Sequence, residues 1–213
     1  MQPKTIDHVA FWVADRQAVA AVLRSRLGLR EIDRQETFTL LGVDARRFKL
    51  TLFDAEGPRE PGVFVHVALR VSRLPDGVPA SFTAGEGLDV VLVERPTPVD
   101  YDLDHVALRT ADPRSTAAEY ERYGFAPAGD TRVEVNGAYI ELLPGGAGQP
   151  ERPLLNHLAV LVDSADDAVA DAGELGIEVE STVDAANTYA AFLTGPDGVR
   201  IEYVEHKPTF ALR

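Results

Sequence analysis

Segments in which apolar residues alternate with polar or small ones recur along this chain of 213 residues. In the first of them Val9, Phe11 and Val13 stand two residues apart, and a period of two predicts a strand with one packed face. A histidine stands in the same frame of four such segments, at residues 7–10, 65–68, 104–107 and 156–159. The recurrence of one rare residue in one frame predicts that a structural unit has been copied along the chain.

The residues after three of these histidines predict a helix followed by further strands. Each predicted helix begins at Asp or Ser and stops just before a glycine, as helices commonly do: residues 15–27, 112–123 and 164–175. In the third copy two short apolar segments flank Asn136 and Gly137, the pair preferred for a tight hairpin turn. The predicted strands of the last two copies are residues 131–135, 138–144, 189–193 and 199–205. The predicted unit is βαβββ.

The second copy is incomplete. Two prolines and a glycine lie within residues 75–79, shortly after His66, and they disfavour a helix of useful length. Residues 88–93 predict one further strand, which resembles the second strand of the other units, so that the hairpin after it is missing. We therefore predict a degenerate N-terminal half, residues 1–98, and an intact C-terminal half, residues 99–213.

Charge and composition narrow the class of partner. The formal net charge of -13 argues against binding to nucleic acid or to an anionic membrane surface. Cysteine is absent, which excludes disulfides and thiolate chemistry. No signal peptide and no run of about 18 apolar residues is recognisable, so we expect a cytoplasmic protein. The expected partner is a small-molecule substrate, and the expected assembly is a monomer or a homodimer.

Two glutamates in the repeated units are candidate metal ligands. Glu141 and Glu202 each stand between apolar residues in the last predicted strand of their units, so their side chains share a face with His105 and His157. Because a lone buried carboxylate is unfavourable, such a residue usually has a partner. Two neutral imidazoles and two carboxylates that converge would bind a divalent metal with positions left for water or substrate. The predicted ligands are His105, Glu141, His157 and Glu202.

The repeated histidine strands and the stretch Gly-Pro-Asp-Gly-Val-Arg-Ile-Glu at residues 195–202 resemble the vicinal oxygen chelate superfamily. This superfamily includes glyoxalase I, bleomycin resistance proteins and extradiol dioxygenases. The resemblance implies an α+β fold in which tandem βαβββ units form two half-open barrel halves, with a metal on the concave face. It also implies that the glyoxalase-type ligand positions are the four residues predicted above, and that the metal is Ni, Zn, Co, Mn or Fe.

The resemblance leaves three classes of function open. The first, which we expect, is a glyoxalase-like metal-dependent lyase or isomerase that chelates adjacent substrate oxygens and moves a proton, with Glu141 or Glu202 as the base. The second is a non-haem iron dioxygenase of the extradiol type, which would use only His105, His157 and Glu202. That class needs an acid–base histidine and a tyrosine, but no histidine lies between His157 and Glu202, and Phe192 stands in the place of the tyrosine. The third is a non-catalytic protein that sequesters a ligand.

Four further residues receive predicted roles. Arg109 shares strand parity with His105 and is a candidate for binding a substrate carboxylate or phosphate. His8 and His66 are interpreted as relics of duplication, because unit one has Thr51 where unit three has Glu141. His206 follows the last predicted strand and is expected to be exposed.

Overall fold

The computed structural model describes residues 1–146 and 148–212 of the chain. In those residues it contains three α-helices and fifteen strands, arranged in two sheets of eight and seven strands. Neither sheet closes on itself, and each contains both parallel and antiparallel neighbours. The predicted α+β class with tandem units is confirmed. None of the described helices is long and apolar enough to cross a membrane.

The elements follow the predicted fourfold order. The first unit contains β1 (Thr5–Val13), α1 (Arg16–Leu27), β2 (Arg30–Arg34), β3 (Phe38–Gly42) and β4 (Lys49–Asp54). The second contains β5 (Phe64–Val71), β6 (Ser81–Thr83) and β7 (Asp89–Glu94). The third contains β8 (Asp102–Thr110), α2 (Pro113–Glu121), β9 (Ala126–Pro127), β10 (Arg132–Val135) and β11 (Ala138–Pro144). The fourth contains β12 (Leu155–Leu161), α3 (Ala165–Leu175), β13 (Val179–Asp184), β14 (Thr188–Thr194) and β15 (Arg200–His206).

The helix ends have the local chemistry that the sequence predicted. The side chains of Asp15 and Ser164 accept hydrogen bonds from backbone N–H groups in the first turns of α1 and α3. Gly28 and Gly176 end these helices in the left-handed conformation, with φ of 68° and 66°, which glycine adopts without a steric penalty. Helix α2 ends at Glu121, two residues before the predicted end. The boundaries are therefore set by short-range interactions.

The second unit lacks different elements from those predicted. Strand β7 pairs in parallel with β5, as β4 pairs with β1 and β11 with β8, so β7 is the closing strand of its unit. Its antiparallel neighbour is the three-residue strand β6, which the sequence did not predict. The assignment of residues 88–93 as a second strand is wrong, because pairing partner and direction define the position of a strand. The missing elements among the described residues of this unit are the helix and the second strand.

The units pair across the predicted halves. Strand β1 pairs with β12, which joins the first and fourth units in the eight-stranded sheet, and β5 pairs with β8, which joins the second and third units in the seven-stranded sheet. The short link between β7 and β8 returns the chain beside β5. The first and fourth units pair with each other because β5 and β8 already join the second unit to the third. Residues 1–98 and 99–213 thus each contribute one unit to each sheet, and neither half forms a concave site alone.

The two sheets share one hydrophobic core. Phe11 from β1 and Phe64 from β5 are both buried and pack edge to face with ring centroids 5.0 Å apart. The buried Tyr203 hydroxyl, from β15, donates a hydrogen bond to the backbone carbonyl of Tyr123 after α2. These contacts fix the second and third units against the first and fourth.

Candidate metal centre

The strand register identifies four equivalent positions for a carboxylate. In every unit the residue two positions after the histidine is an alanine that lies beside the closing parallel strand. The opposite residue is Thr51 in the first unit, Val91 in the second, Glu141 in the third and Glu202 in the fourth. Because the units pair first with fourth and second with third, these equivalent positions give each sheet two histidines but only one glutamate.

On the eight-stranded sheet, His8, His157 and Glu202 converge, and we call these residues the triad. Nε2 of His8 and Nε2 of His157 are 2.9 Å apart. Oε2 of Glu202 lies 3.1 Å from the first nitrogen and 3.0 Å from the second. The triad is the group of three potential ligands that lie within 4.8 Å of one another in the part of the chain that the structure describes. A carboxylate and two imidazoles in this arrangement match the donor set of a divalent transition metal.

Both imidazoles are oriented from behind by hydrogen bonds. Nδ1 of His8 lies 2.9 Å from Oδ2 of Asp7, and Nδ1 of His157 lies 3.1 Å from Oδ1 of Asn156. Both oxygens are acceptors, so each Nδ1 carries the proton and each neutral ring presents a lone pair at Nε2. Two lone pairs and a carboxylate oxygen that face each other repel unless a proton on His8 or a metal ion lies between them. The residues therefore fit a metal ion.

Two buried oxygens without hydrogen-bond partners, and the pKa shifts of the triad residues, are consistent with a site that binds a cation. Oε2 of Glu202 and Oγ1 of Thr51 are buried and have no hydrogen-bond partner of acceptable geometry among the described residues. Burial disfavours the charged form of His8, but the carboxylates of Glu202 and Asp7 outweigh burial and raise its pKa to about 9. Burial likewise disfavours ionised Glu202, but His8 and His157 hold the pKa of its carboxyl below the ordinary value. Burial lowers the pKa of His157. The site thus holds an ionised carboxylate and attracts positive charge.

The equivalent residues on the seven-stranded sheet, His66, His105 and Glu141, form what we call the second cluster. Nε2 of His66 lies 2.9 Å from Nε2 of His105, as in the triad, but Oε2 of Glu141 is 3.7 Å from Nε2 of His105. Nδ1 of His105 donates to Asp104, and Nδ1 of His66 has no hydrogen-bond partner in residues 1–146 and 148–212. His66 can therefore carry its proton on Nε2 and donate it to His105, which satisfies the pair without a cation.

The cross-strand neighbour of each glutamate explains the difference between the two sheets. Arg132 stands opposite Glu141, and its guanidinium binds the carboxylate, with Nε 3.1 Å from Oε1. Phe192 stands opposite Glu202 and offers no hydrogen bond to the carboxylate. A guanidinium supplies the positive charge in the second cluster, whereas the carboxylate of the triad remains available for a metal.

The four predicted ligands do not form one site. His157 and Glu202 lie together on the eight-stranded sheet, and His105 and Glu141 lie together on the seven-stranded sheet. The prediction paired the third unit with the fourth, whereas each pairs with a unit of the other half. The interpretation of His8 as a relic is wrong, since His8 completes the triad. The signal for its role was present in the sequence, because His8 stands in the same frame as His157. Arg109 is exposed on β8 of the seven-stranded sheet, away from the triad.

A cavity of about 640 Å³ opens beside the triad. Its walls are largely apolar, and they include the aromatic side chains of Trp12, Phe38, Phe53, Phe192 and Phe210. The volume is typical of pockets for small molecules, and apolar walls around a few polar groups are the usual composition of such pockets. The triad and the cavity are therefore continuous, because His8, His157 and Glu202 line the cavity wall.

The hydrogen bond from His157 to Asn156 provides a test of the metal site. We expect Asn156→Leu to weaken zinc binding by about 10–100-fold, because loss of an outer-shell partner frees the imidazole to rotate and to change tautomer. Competition with a chromogenic chelator measures the affinity. Asn156→Asp is the matched control, since it retains an acceptor oxygen and should bind zinc at least as tightly as the wild type. Equal affinity of the leucine variant and the wild type would contradict the predicted role of Asn156.

Comparisons with known proteins agree with the fold. Residues 102–203 match the model of the Glyoxalase/Bleomycin resistance protein/Dioxygenase superfamily. A Bacillus subtilis protein proposed to be a dioxygenase has a similar structure, with a TM-score of 0.74 and 17% identity over 99% of this chain and 87% of that chain. Glyoxalase I from Zea mays has a TM-score of 0.68 and 17% identity over 94% and 92% of the two chains. No curated protein matches the sequence significantly.

The cppA protein from Streptococcus pneumoniae is also similar, with a TM-score of 0.63 and 13% identity over 96% of this chain and 98% of that chain. At such identities the structural likeness establishes the fold alone. The family match and the recurring βαβββ unit together confirm the predicted resemblance. Residues 102–203 thus match the glyoxalase/bleomycin resistance protein/dioxygenase superfamily, and the solved structures share its fold, as the resemblance to the vicinal oxygen chelate superfamily predicted.

Proposed function

We propose that this protein is a mononuclear metal enzyme of the non-haem iron dioxygenase type, acting on a small substrate through two adjacent oxygens. The observation that carries the proposal is the convergence of His8, His157 and Glu202, without a fourth ligand among residues 1–146 and 148–212. Two histidines and one carboxylate are the ligand set of many ferrous oxygenases, and they leave open positions for substrate. When bound, a ferrous ion would supply Lewis acidity and redox chemistry with dioxygen.

The count of carboxylates favours this class over the glyoxalase type expected from the sequence. A glyoxalase-type site uses two histidines and two glutamates, but the position that would supply the second glutamate is Thr51. Glu141, the other predicted base, lies on the seven-stranded sheet and is bound by Arg132. Glu202 would have to act both as a ligand and as the base. A three-ligand site therefore suits these residues better than a four-ligand site.

The chain's own residues would bind and position the substrate. The triad holds the ion, while Asp7 and Asn156 fix the orientation of its histidines. The aromatic side chains of Phe53 and Phe192 pack near His157, with ring centroids 6.1 and 5.3 Å from the imidazole. Such walls exclude water and favour a flat or apolar substrate body, with its two oxygens directed at the triad.

Metal reconstitution tests the proposal. Metal-free protein is loaded anaerobically with ferrous iron, nickel or zinc and is given a panel of catechols, other vicinal diols and α-hydroxy ketones. We expect oxygen consumption with the ferrous protein and at least one substrate, measured with an oxygen electrode, and we expect none with the zinc protein. Anaerobic isomerisation or elimination by the nickel or zinc protein would instead establish the lyase or isomerase class.

A ligand-sequestering protein would give a third result. It would bind the panel compounds without added metal and would transform none of them. His157→Ala is the control for every arm, because it removes a ligand but leaves the aromatic cavity walls in place. The proposal requires that this variant lose oxygen consumption.

A further inference from the structure

One histidine beside the triad has no role in holding a metal. The chain has five histidines, of which two belong to the triad and two to the second cluster on the other sheet. The fifth, His206, ends β15 four residues after Glu202 and lines the triad cavity. Its side chain is only 12% exposed, so the prediction that it is exposed is wrong.

His206 is anchored by a carboxylate that also orients the triad. Its Nε2 lies 3.1 Å from Oδ1 of Asp7, whose Oδ2 accepts the hydrogen bond from His8. The same Oδ1 also accepts a hydrogen bond from Nζ of the buried Lys49, 2.7 Å away, so Asp7 belongs to a buried ion pair. Nε2 of His206 faces this ionised carboxylate in an ion-pair contact, so the proton of the neutral ring lies on Nε2. The other nitrogen, Nδ1, then carries the lone pair when the imidazole is neutral.

The His206 ring is also fixed in place by stacking. It lies 4.1 Å from the ring of Phe210, centroid to centroid, at an interplanar angle of 15°. The guanidinium of Arg46 lies over the same phenylalanine, 5.1 Å from the ring centroid. Among the described residues, Nδ1 of His206 has no hydrogen-bond partner. A held ring with one free nitrogen in a substrate cavity has the arrangement of a general base.

We propose that His206 exchanges a proton with the substrate in the triad cavity. This inference rests on the proposed function, because it assumes a substrate that binds through ionisable adjacent oxygens. The other ionisable groups that line the cavity are already bound: Asp7 and Lys49 to each other, Arg200 to Glu180, and Asp33 to Gln35. Outside the triad, His206 is the remaining ionisable side chain of the cavity lining, and its Nδ1 is unbound among the described residues.

The proton balance of the step is complete within the cavity. The O–H bond of a substrate hydroxyl breaks, its electron pair stays on the oxygen, and the proton forms a bond with Nδ1 of His206. The imidazolium that results lies against the ionised Asp7, which stabilises its charge. The N–H bond at Nδ1 then breaks and returns this proton to the product or to water, which restores neutral His206. Asp7 thereby connects the proton acceptor with the ligand His8.

The ionisation of a bound chromogenic diol tests this inference without turnover. Zinc-loaded protein is titrated with 4-nitrocatechol, whose absorption spectrum distinguishes one ionised hydroxyl from two. We compare the wild type with His206→Gln, which retains an N–H donor for Asp7 but cannot accept a proton. We expect the second ionisation of the bound probe to move upward by about one pH unit in the variant, on the scale of losing one nearby base.

The two variants His206→Gln and His206→Ala separate a chemical role from a structural one. The glutamine variant should bind zinc as tightly as the wild type, since His206 is not a ligand. Added imidazole should restore the wild-type ionisation in the alanine variant, which leaves space for it, and not in the glutamine variant. If zinc and probe bind but His206→Gln titrates like the wild type, the role of His206 is refuted. If the wild type binds no zinc, the proposed function itself fails.

Discussion

His8→Ala is expected to abolish stable metal binding, although the sequence alone placed the metal in the other half of the chain. Even the loss of an outer-shell partner weakens metal binding by about 10–100-fold, so the loss of one of three ligands should weaken it by more than about 100-fold. The side chains of His157 and Glu202 would also lose their contact with the His8 imidazole and would lie against the space that it leaves. Elemental analysis of protein dialysed against a known free zinc concentration measures the effect.

His105→Ala is the matched control for this prediction. His105 holds the position in the third unit that His8 holds in the first, and it is also buried and hydrogen-bonded through Nδ1 to a preceding aspartate. We expect this variant to retain one zinc per chain. Zinc lost from His105→Ala but retained by His8→Ala would mean that the second cluster is the metal site, and it would refute the assignment of the triad.

The sequence predicted the units well because their signals are local. Alternation of apolar residues placed the histidine strands, and Asp15 and Ser164 marked the helix starts at which their side chains cap the backbone. The weak second unit was recognised from its prolines. Its closing strand was misassigned, because nothing local in residues 88–93 distinguishes a strand that pairs in parallel with β5 from one that follows a helix.

The convergence of the triad was predicted only in part, because it depends on which units pair. The histidine and glutamate faces follow from strand parity, so His157 and Glu202 were correctly placed together. The four histidine strands have nearly the same local pattern, and that pattern does not state that β1 lies beside β12. The choice of partner unit follows from the connections and the core, such as the packing of Phe11 against Phe64.

The role of His206 depends on a backbone irregularity that the sequence does not reveal. The register between β1 and β12 shifts between Ile6 and His8, so that Asp7 is the extra residue of a bulge. The bulge lets the Asp7 side chain reach Lys49, His8 and His206 from the cavity side. A regular strand would direct Asp7 and His8 to opposite faces. His206 follows the last predicted strand, and the sequence pattern around it does not indicate that its side chain lies beside Asp7.

The two clusters differ in the residue that stands opposite the glutamate on the neighbouring strand. Each sheet has two histidines with the same 2.9 Å separation of Nε2 atoms and one glutamate in the same register. Arg132 neutralises the glutamate of the second cluster, whereas Phe192 leaves the glutamate of the triad free. A positive charge fixed by the protein thus takes the place that a metal would take in the triad.

Replacing this arginine should create a second metal site. We expect Arg132→Phe, which copies the residue found beside Glu202, to raise the zinc stoichiometry from one to two per chain, because the freed carboxylate can then turn toward the two imidazoles. Arg132→Lys is the control, since it keeps a cation beside Glu141 and should remain at one zinc. Isothermal titration of the metal-free variants measures both. In the double variant Arg132→Phe with His66→Ala the second zinc should be lost again, which assigns it to the second cluster. A stoichiometry of one in Arg132→Phe would mean that the guanidinium is not what separates the two clusters.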